Sequence, residues 1–208
     1  MFAPHTGRFL GIAAAALVAL TLLWALAGER VPLVIVPLLV GLGALWVFLA
    51  AFFRDPERRT GAGIVSAADG RIREVVRDSD RWRISVFMNV TNVHVNRFPI
   101  DGRLVHLDDS GAGYRPAYQV DAAHNRQRRY TLETALGQVD VIQMTGILAR
   151  RLVSFVKVGE AHVKGDRIGM IILGSRVDVL LPASRAAPAV HVGERVRAGV
   201  TTIARELP

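Results

Sequence analysis

The chain has 208 residues, of which 51% are hydrophobic, contains no cysteine and carries a formal net charge of +8 at pH 7. The absence of cysteine excludes disulfide bridges and thiolate chemistry. The length suits one globular domain with an appendage, and the hydrophobic content is high for a wholly soluble protein.

Two uncharged apolar runs begin the chain, at residues 9–27 and 31–53. Each is long enough to cross a hydrocarbon core of about 30 Å as a helix. Only Gly28-Glu29-Arg30 separates them, so the sequence predicts a transmembrane helical hairpin within residues 1–53. A cleaved signal peptide is the competing interpretation of the first run, and the immediate second run argues against it.

The cations that flank these runs predict their orientation. Arg8 precedes the first run, and Arg54, Arg58 and Arg59 follow the second. Cytoplasmic flanks are enriched in such residues. We therefore expect a plasma membrane or cell inner membrane protein whose domain at 54–208 lies on the cytoplasmic side.

Most of the positive charge lies in this second part of the chain. A basic domain tethered to a membrane is attracted to anionic lipid headgroups. Nucleic acid is the other common partner of a basic domain, but the predicted membrane anchor argues against it. We expect lipid and no nucleic acid.

Residues 54–208 consist of short runs rich in valine and isoleucine, which predict a mainly β (α+β) domain of short strands and hairpins with few helices. Strict alternation places Trp82, Ile84, Val86, Met88 and Val90 on one face of a strand at 81–90. Further predicted elements, in chain order, are a strand at 63–70 that enters a turn at Asp69-Gly70, a returning strand at 72–76, a loop at 108–113, an exposed polar segment at 124–129 and a strand at 139–144. Residues 146–156 fit either a helix or a strand, and Ala149-Arg150-Arg151 favours a short helix.

The last fifty residues contain a weak internal echo. Gly159-Glu160 and Gly193-Glu194 are each followed by a second glycine several residues later. This spacing predicts hairpin turns in a compact β domain, as in barrels, sandwiches and lipoyl-type modules.

The apolar stretch 171–182 is interrupted by Gly174-Ser175. A turn is the simpler interpretation of this dipeptide. The reactive alternative is that the Ser175 hydroxyl attacks the preceding carbonyl and forms an ester. Elimination and hydrolysis would then leave a pyruvoyl group, which acts as an electron sink.

Two other residues are candidates for chemistry. His94 is either a hydrogen-bonded loop histidine or a general base for Ser175. Asp69 either closes a local turn or orients His94, as in a serine–histidine–aspartate set. The other histidines lack the paired short spacings of metal ligands, so no metal site is expected.

Three sequence blocks together resemble the short form of phosphatidylserine decarboxylase. They are 52–58 (FFRDPER), 92–99 (NVHVNRFP) and 169–182 (GMIILGSRVDVLLP). Blocks at 67–70, 141–146, 149–151 and 192–199 fit the same pattern in the same order. A membrane-spanning N-terminus is also usual in the short form.

The resemblance implies a self-processing enzyme whose covalent pyruvoyl cofactor derives from Ser175, with assistance from His94 and Asp69. Scission would fall between Gly174 and Ser175. The products would be a β chain, 1–174, and an α chain, 175–208, which together form a heterodimer.

By the same resemblance, the substrate would be phosphatidylserine and the products phosphatidylethanolamine and carbon dioxide. The serine amine would form a Schiff base with the pyruvoyl ketone, and His94 would return a proton after decarboxylation. Long-form relatives carry histidine and threonine at the positions of Arg97 and Arg176, where arginine is typical of short forms. Both arginines are candidate ligands for the lipid phosphate.

Two other functions fit the same sequence. The enzyme could act on an ether-linked serine phospholipid, since the headgroup chemistry would be identical. The chain could instead be a non-enzymatic, membrane-tethered lipoyl-like β module, which would explain the glycine turns but not the joint presence of Ser175, His94 and Asp69.

Overall fold

The computed structural model of the chain describes residues 1–4, 6–27, 32–113, 125–146, 151–172 and 175–208. It divides into two compact units, Met1–Pro56 and Glu57–Pro208. The first unit is helical and the second is built of strands.

The first unit contains two helices, α1 (Gly7–Ala27) and α2 (Pro32–Phe52). Both are long and apolar enough to cross a membrane. Side chains such as Ile12 and Val40 are 68% and 66% exposed, whereas a core helix of a soluble protein would bury them. The two predicted apolar helices are confirmed, and their exposed surfaces fit a lipid environment.

The start of the chain is tied to the end of α2. The Ala3 amide donates to the Phe53 carbonyl at 2.9 Å, and the Asp55 amide donates to the Met1 carbonyl at 2.8 Å. The rings of Phe9 and Phe53 stack with centroids 6.0 Å apart. These contacts bring the two ends of the hairpin together.

The second unit is mainly β, which confirms the predicted fold class. Its strands are β1 (Ile64–Val65), β2 (Gly70–Asp78), β3 (Arg81–Met88), β4 (Val95–Arg97), β5 (Gly102–Ser110), β6 (Gln127–Thr134), β7 (Gly137–Thr145), β8 (Arg151–Ser154), β9 (Ala161–His162), β10 (Arg167–Ile172), β11 (Ser175–Pro182), β12 (Ala186–Pro188), β13 (Arg195–Val196) and β14 (Thr202–Glu206).

The strands form three antiparallel sheets. The large sheet has the order β13-β2-β3-β11-β7-β6-β5-β9, and the two smaller sheets have the orders β4-β10-β8 and β1-β14-β12. Ile84, Val86 and Met88 of β3 are fully buried beside Val177 and Val179 of β11. The predicted alternation is thus confirmed for Ile84, Val86 and Met88, and the core lies on this face of the large sheet. It is wrong at Val90, which follows the end of β3 and is exposed, and the opposite face is not open to solvent at Ser85, which is also buried.

The two Gly-Glu turns are confirmed, and each leads into a short edge strand, but the predicted hairpins are wrong, because β9 pairs with β5 and β13 with β2. Gly159 and Gly193 have φ angles of 95° and 91°, a region that favours glycine because it has no Cβ. The turns precede β9 and β13, which form the two opposite edges of the large sheet.

The predictions of a loop at 108–113 and an exposed segment at 124–129 were partly wrong. β5 extends to Ser110, and its acidic residues pair in register with the basic residues of β6. Arg128 donates to both carboxylate oxygens of Asp109 at 2.6 Å, and the hydrogen bond from Arg128 lowers the pKa of Asp109. The sequence of each segment, read alone, is typical of a solvated loop, because the charges that neutralise it belong to the other strand.

Two other local predictions also differ from the structure. Residues 151–154, expected within a short helix, form β8 and pair with β10; residues 147–150 lie outside the described part of the chain. The strands on either side of Asp69-Gly70 do not form a hairpin, because β1 pairs with β14 while β2 pairs with β3. Long-range pairing overrides local preference in both places.

Substitution of Gly70 by alanine tests the close approach of β2 to β3. Gly70 has a φ of 156°, and an added Cβ would overlap the Phe87 carbonyl oxygen and lie 2.9 Å from its carbon. We expect Gly70→Ala to lower the free energy of unfolding by about 3 kcal/mol. Gly137→Ala is the matched control, because its φ is 93° but its Cβ meets no atom, and it should cost only about 1–2 kcal/mol. Thermal unfolding of the detergent-solubilised chain measures both, and equal losses would contradict the steric argument.

Candidate active site

The chain changes sheets immediately before Ser175. β10 belongs to a small sheet and ends at Ile172, whereas β11 belongs to the large sheet and begins at Ser175. Gly174, the other half of the predicted cleavage site, lies outside the described residues. The predicted scissile bond therefore falls at a connection between two sheets.

Ser175 is the first residue of β11, an interior strand of the large sheet. In register, Ser175 lies opposite Met88 of β3 on one side and Thr145 of β7 on the other. Both ladders continue as far as Leu180. A shift of β11 by one residue would disrupt both ladders and turn its buried residues outward, so the fold fixes the position of this backbone.

His94 is fully buried just before β4. Its Nδ1 lies 2.9 Å from the Asn92 carbonyl oxygen. A carbonyl oxygen only accepts hydrogen bonds, so Nδ1 carries the proton in the neutral ring and Nε2 does not. The ring is thereby held in the tautomer in which Nε2 can accept a proton, as a general base requires.

The backbone also connects His94 to the strand that leads toward Ser175. The Ile171 amide of β10 donates to the His94 carbonyl at 3.3 Å, and Met170 lies opposite Val95 in the β4–β10 ladder. The backbone of His94 is thus bonded to β10 one residue before the end of that strand.

Asp69 is bound by an arginine and a backbone amide. Arg58 donates to its two carboxylate oxygens at 2.5 and 2.9 Å, and the Ala198 amide donates at 2.8 Å. Within the described residues, the carboxylate makes these contacts and does not reach His94. The predicted Asp69–His94 hydrogen bond is therefore not seen. The segments that carry the two residues are nevertheless joined by their backbones, since the Arg97 amide donates to the Ala67 carbonyl at 2.9 Å.

Arg97 and Arg176, the predicted phosphate ligands, are both buried. Arg97 donates to the Gly165 carbonyl at 2.9 Å. Its side chain also lies close to Gly199, where an added Cβ would be 3.0 Å from Arg97 Cδ. Arg97 thus connects the glycine turns at residues 165 and 199 to β4.

Arg176 is the centre of an ion-pair network on the large sheet. It donates to Asp178 at 2.7 and 3.1 Å, to Glu74 at 2.9 Å and to the Ser85 hydroxyl at 2.8 Å. Burial alone would lower the pKa of Arg176, but Asp178 and Glu74 outweigh it and raise that pKa. The guanidinium holds three strands together, β2, β3 and β11, and its charge is balanced by protein carboxylates.

Sequence reasoning missed a chain of buried polar side chains beside this region. The Tyr130 hydroxyl donates to Gln143 Oε1 at 3.1 Å, and Gln143 Nε2 donates to Asn96 Oδ1 at 2.7 Å. The available signal was a polar residue on an apolar face, because Gln143 continues the buried series of Val139 and Val141 on β7. Burial raises the pKa of Tyr130, which keeps its hydroxyl protonated as a donor.

The structure shows no clustered metal ligands in the part of the chain it describes. No group of three or more histidine, cysteine, aspartate or glutamate residues is found there that could hold a metal ion.

Comparison with known proteins shows a family match over most of the chain. The sequence profile of the phosphatidylserine decarboxylase family matches residues 45–204. A phosphatidylserine decarboxylase proenzyme of Thermobifida fusca is 46% identical over 165 residues, covering 78% of this chain and 76% of the relative. A Halobacterium salinarum protein named as an archaetidylserine decarboxylase proenzyme is 45% identical over 166 residues, covering 78% and 83%. A phosphatidylserine decarboxylase proenzyme of Streptomyces avermitilis is 40% identical over 166 residues, covering 79% and 74%.

The ion-pair network of Arg176 predicts a large stability effect. Arg176→Met leaves Asp178, which is 1% exposed, without its cation, and loss of one partner of a buried pair costs about 3–5 kcal/mol. Adding Asp178→Leu should restore most of that loss. Arg128→Met is the control, because the side chain of its partner Asp109 is 41% exposed and exposed pairs contribute about 1 kcal/mol or less. Thermal unfolding compares the variants, and a loss at Arg176 no larger than at Arg128 would contradict a structural role.

Proposed function

The chain belongs to the phosphatidylserine decarboxylase family, and from that premise we propose that it is a self-processing enzyme that converts phosphatidylserine to phosphatidylethanolamine and carbon dioxide. The observation that carries the proposal is the position of Ser175 at the start of an interior strand, where the chain leaves the small sheet whose strand β4 directly follows His94. The site residues are Ser175, His94 and Asp69.

Self-cleavage begins at the Gly174–Ser175 bond. The Ser175 hydroxyl adds to the Gly174 carbonyl and gives up its proton to His94 Nε2, which the Nδ1–Asn92 hydrogen bond keeps as the proton acceptor. The C–N bond then breaks, the nitrogen takes a proton, and an ester joins the two residues. Loss of the Ser175 α-proton expels the Gly174 carboxylate and leaves dehydroalanine, and one water hydrolyses this group to a pyruvoyl cap with release of ammonia.

The fold is compatible with a cut at this bond. The large fragment, 1–174, retains β1–β10, and the small fragment, 175–208, retains β11–β14. β11 pairs with β3 and β7, β13 with β2, and β14 with β1. Strands of the small fragment therefore pair with strands of the large fragment in two sheets, which supports a stable heterodimer of the two chains.

A pyruvoyl group at the start of β11 supplies an electron sink for the electrons left behind when carbon dioxide departs. The protein holds that chain end by the β3 and β7 ladders. His94, which directly precedes β4 of the small sheet, returns a proton to the former α-carbon of the substrate. Asp69 acts indirectly, since it holds Arg58 and the Ala198 amide.

The apolar helices of the first unit are consistent with a substrate that is located in a membrane. Its two apolar helices fit a membrane anchor, and arginines at 54, 58 and 59 follow α2. We place the second unit on the cytoplasmic side of the plasma or inner membrane for this reason. Arg58 is engaged by Asp69, which leaves the exposed Arg59 as a more accessible cation for lipid phosphate.

Cleavage is the most informative test. Purified wild-type chain should separate into two fragments on a denaturing gel. By mass spectrometry, the smaller should be lighter than a fragment starting with serine by the mass of one ammonia. Ser175→Ala should stay intact and release no carbon dioxide from phosphatidylserine, because it lacks the attacking oxygen. Ser184→Ala changes an exposed serine of the same fragment and should process normally. Full activity in an uncut chain would eliminate the mechanism.

The tails of the lipid are the second point to test. Relatives named for ester-linked and ether-linked serine lipids match this chain about equally, at 46% and 45% identity. Because only the headgroup reacts, we expect both lipids to release carbon dioxide in mixed detergent micelles, with values of kcat/KM within about tenfold, or 1.4 kcal/mol. Activity on the ether lipid alone would reassign the substrate while leaving the cleavage chemistry unchanged.

A further inference from the structure

A chain of buried hydrogen bonds runs beneath the proposed site. It begins at the Tyr130 hydroxyl, passes through the Gln143 amide and ends at Asn96. Asn96 Nδ2 then contacts Met88 Sδ at 3.6 Å. Tyr130, Gln143, Asn96 and Met88 are all fully buried.

Hydrophobic packing does not account for these amides. A buried amide costs free energy unless it is hydrogen-bonded, and an apolar pair of similar volume would fill the same space at less cost. A satisfied buried network instead fixes one arrangement of the groups it joins. What the network fixes is therefore determined by the parts of the molecule that it connects.

It connects the two sheets that contribute to the site. Asn96 lies on β4, two residues after His94, in the small sheet. Gln143 and Met88 lie on β7 and β3, the two strands that flank β11 in the large sheet. Met88 is itself the residue directly opposite Ser175 in the β3–β11 ladder. Asn96 thus contacts both neighbours of the strand that begins at Ser175.

A glycine on β10 makes room for this connection. Gly169 is the residue opposite Asn96 in the β4–β10 ladder. A Cβ there would lie 2.9 Å from the Tyr130 hydroxyl oxygen, 3.2 Å from Gln143 Nε2 and 2.5 Å from the Val153 carbonyl oxygen. β10, which leads toward the predicted cleavage site, therefore passes the network at Gly169, where any side chain would collide with it.

We propose that the Tyr130–Gln143–Asn96 hydrogen-bonded chain is a positioning device that sets His94 against the Gly174–Ser175 bond and so controls the rate of self-cleavage. The inference rests on the proposed function. Asn96 and Gln143 carry neutral amides, so they act through the placement of His94 and β11. A misplacement of reacting groups by about 1 Å can cost about 100-fold in rate.

The test follows cleavage of the full chain, synthesised in a cell-free system with lipid nanodiscs, by denaturing gel over time. Gln143→Met keeps the length of the side chain and removes both of its hydrogen bonds. We expect cleavage to slow at least tenfold. Val139→Ala is the matched control, because Val139 is fully buried on the same strand and face but lies outside the network. It should lower the unfolding temperature at least as much while slowing cleavage less than threefold.

The pH profile of cleavage separates positioning from general loosening. In wild type the rate should rise with pH, because a general base acts in its unprotonated form. Gln143→Met should flatten that rise, because a displaced histidine contributes less to the rate, whereas Val139→Ala should keep its shape. Tyr130→Phe removes the hydroxyl that begins the network and that also interacts with Ser154 and Arg128. It should slow cleavage at least threefold while lowering the unfolding temperature no more than Val139→Ala does, and it serves as the test if Gln143→Met does not fold.

The outcomes distinguish this inference from the proposed function. A wild-type chain that never cleaves would remove the proposed function itself. If wild type cleaves, and Gln143→Met or the folded Tyr130→Phe matches the rate and pH profile of wild type or of Val139→Ala, the network is only structural and the inference is overturned.

Discussion

The two backbone ladders that hold β11 between β3 and β7 are the constraint on which the rest of the site depends. An interior antiparallel strand cannot slide or tilt without breaking hydrogen bonds on both sides. The backbone of Ser175, the first residue of β11, is therefore held at a fixed position in the large sheet. His94 directly precedes β4, which belongs to a different sheet. The proposed site therefore involves two sheets, and its geometry depends on the contacts that hold those sheets together.

Polar and charged side chains in the described core mainly perform that structural task. Arg58 holds Asp69, Arg97 holds the Gly165 turn, and Arg176 joins three strands of the large sheet. These cations are largely buried and face protein acceptors, so a high arginine content near the site does not by itself identify a lipid-binding surface. The amide chain from Tyr130 to Asn96 performs the corresponding task without charge.

The sequence could predict whatever depends on local pattern and reaction chemistry. Alternation on β3, the glycine turns and the two apolar helices all agree with the structure, because each is determined by neighbouring residues. The pairing of Asp109 with Arg128 could not be foreseen, since the two residues come from segments that each look like a loop. The same is true of Asp69, whose nearest cation in space is Arg58 and not His94. Gln143 was detectable as a polar residue on an apolar face, but its partner Asn96, 47 residues away, was not.

The central place of β11 also bears on the lifetime of the enzyme. Under the proposed chemistry, the reactive ketone is carried by a 34-residue piece, 175–208, whose first strand is enclosed by the larger piece on both flanks. Such a piece does not come away without unfolding the sheet, so a spent or damaged ketone cannot be swapped for a fresh one as a diffusible coenzyme can. Each molecule makes its reactive group once, and renewal of activity requires synthesis of a new polypeptide.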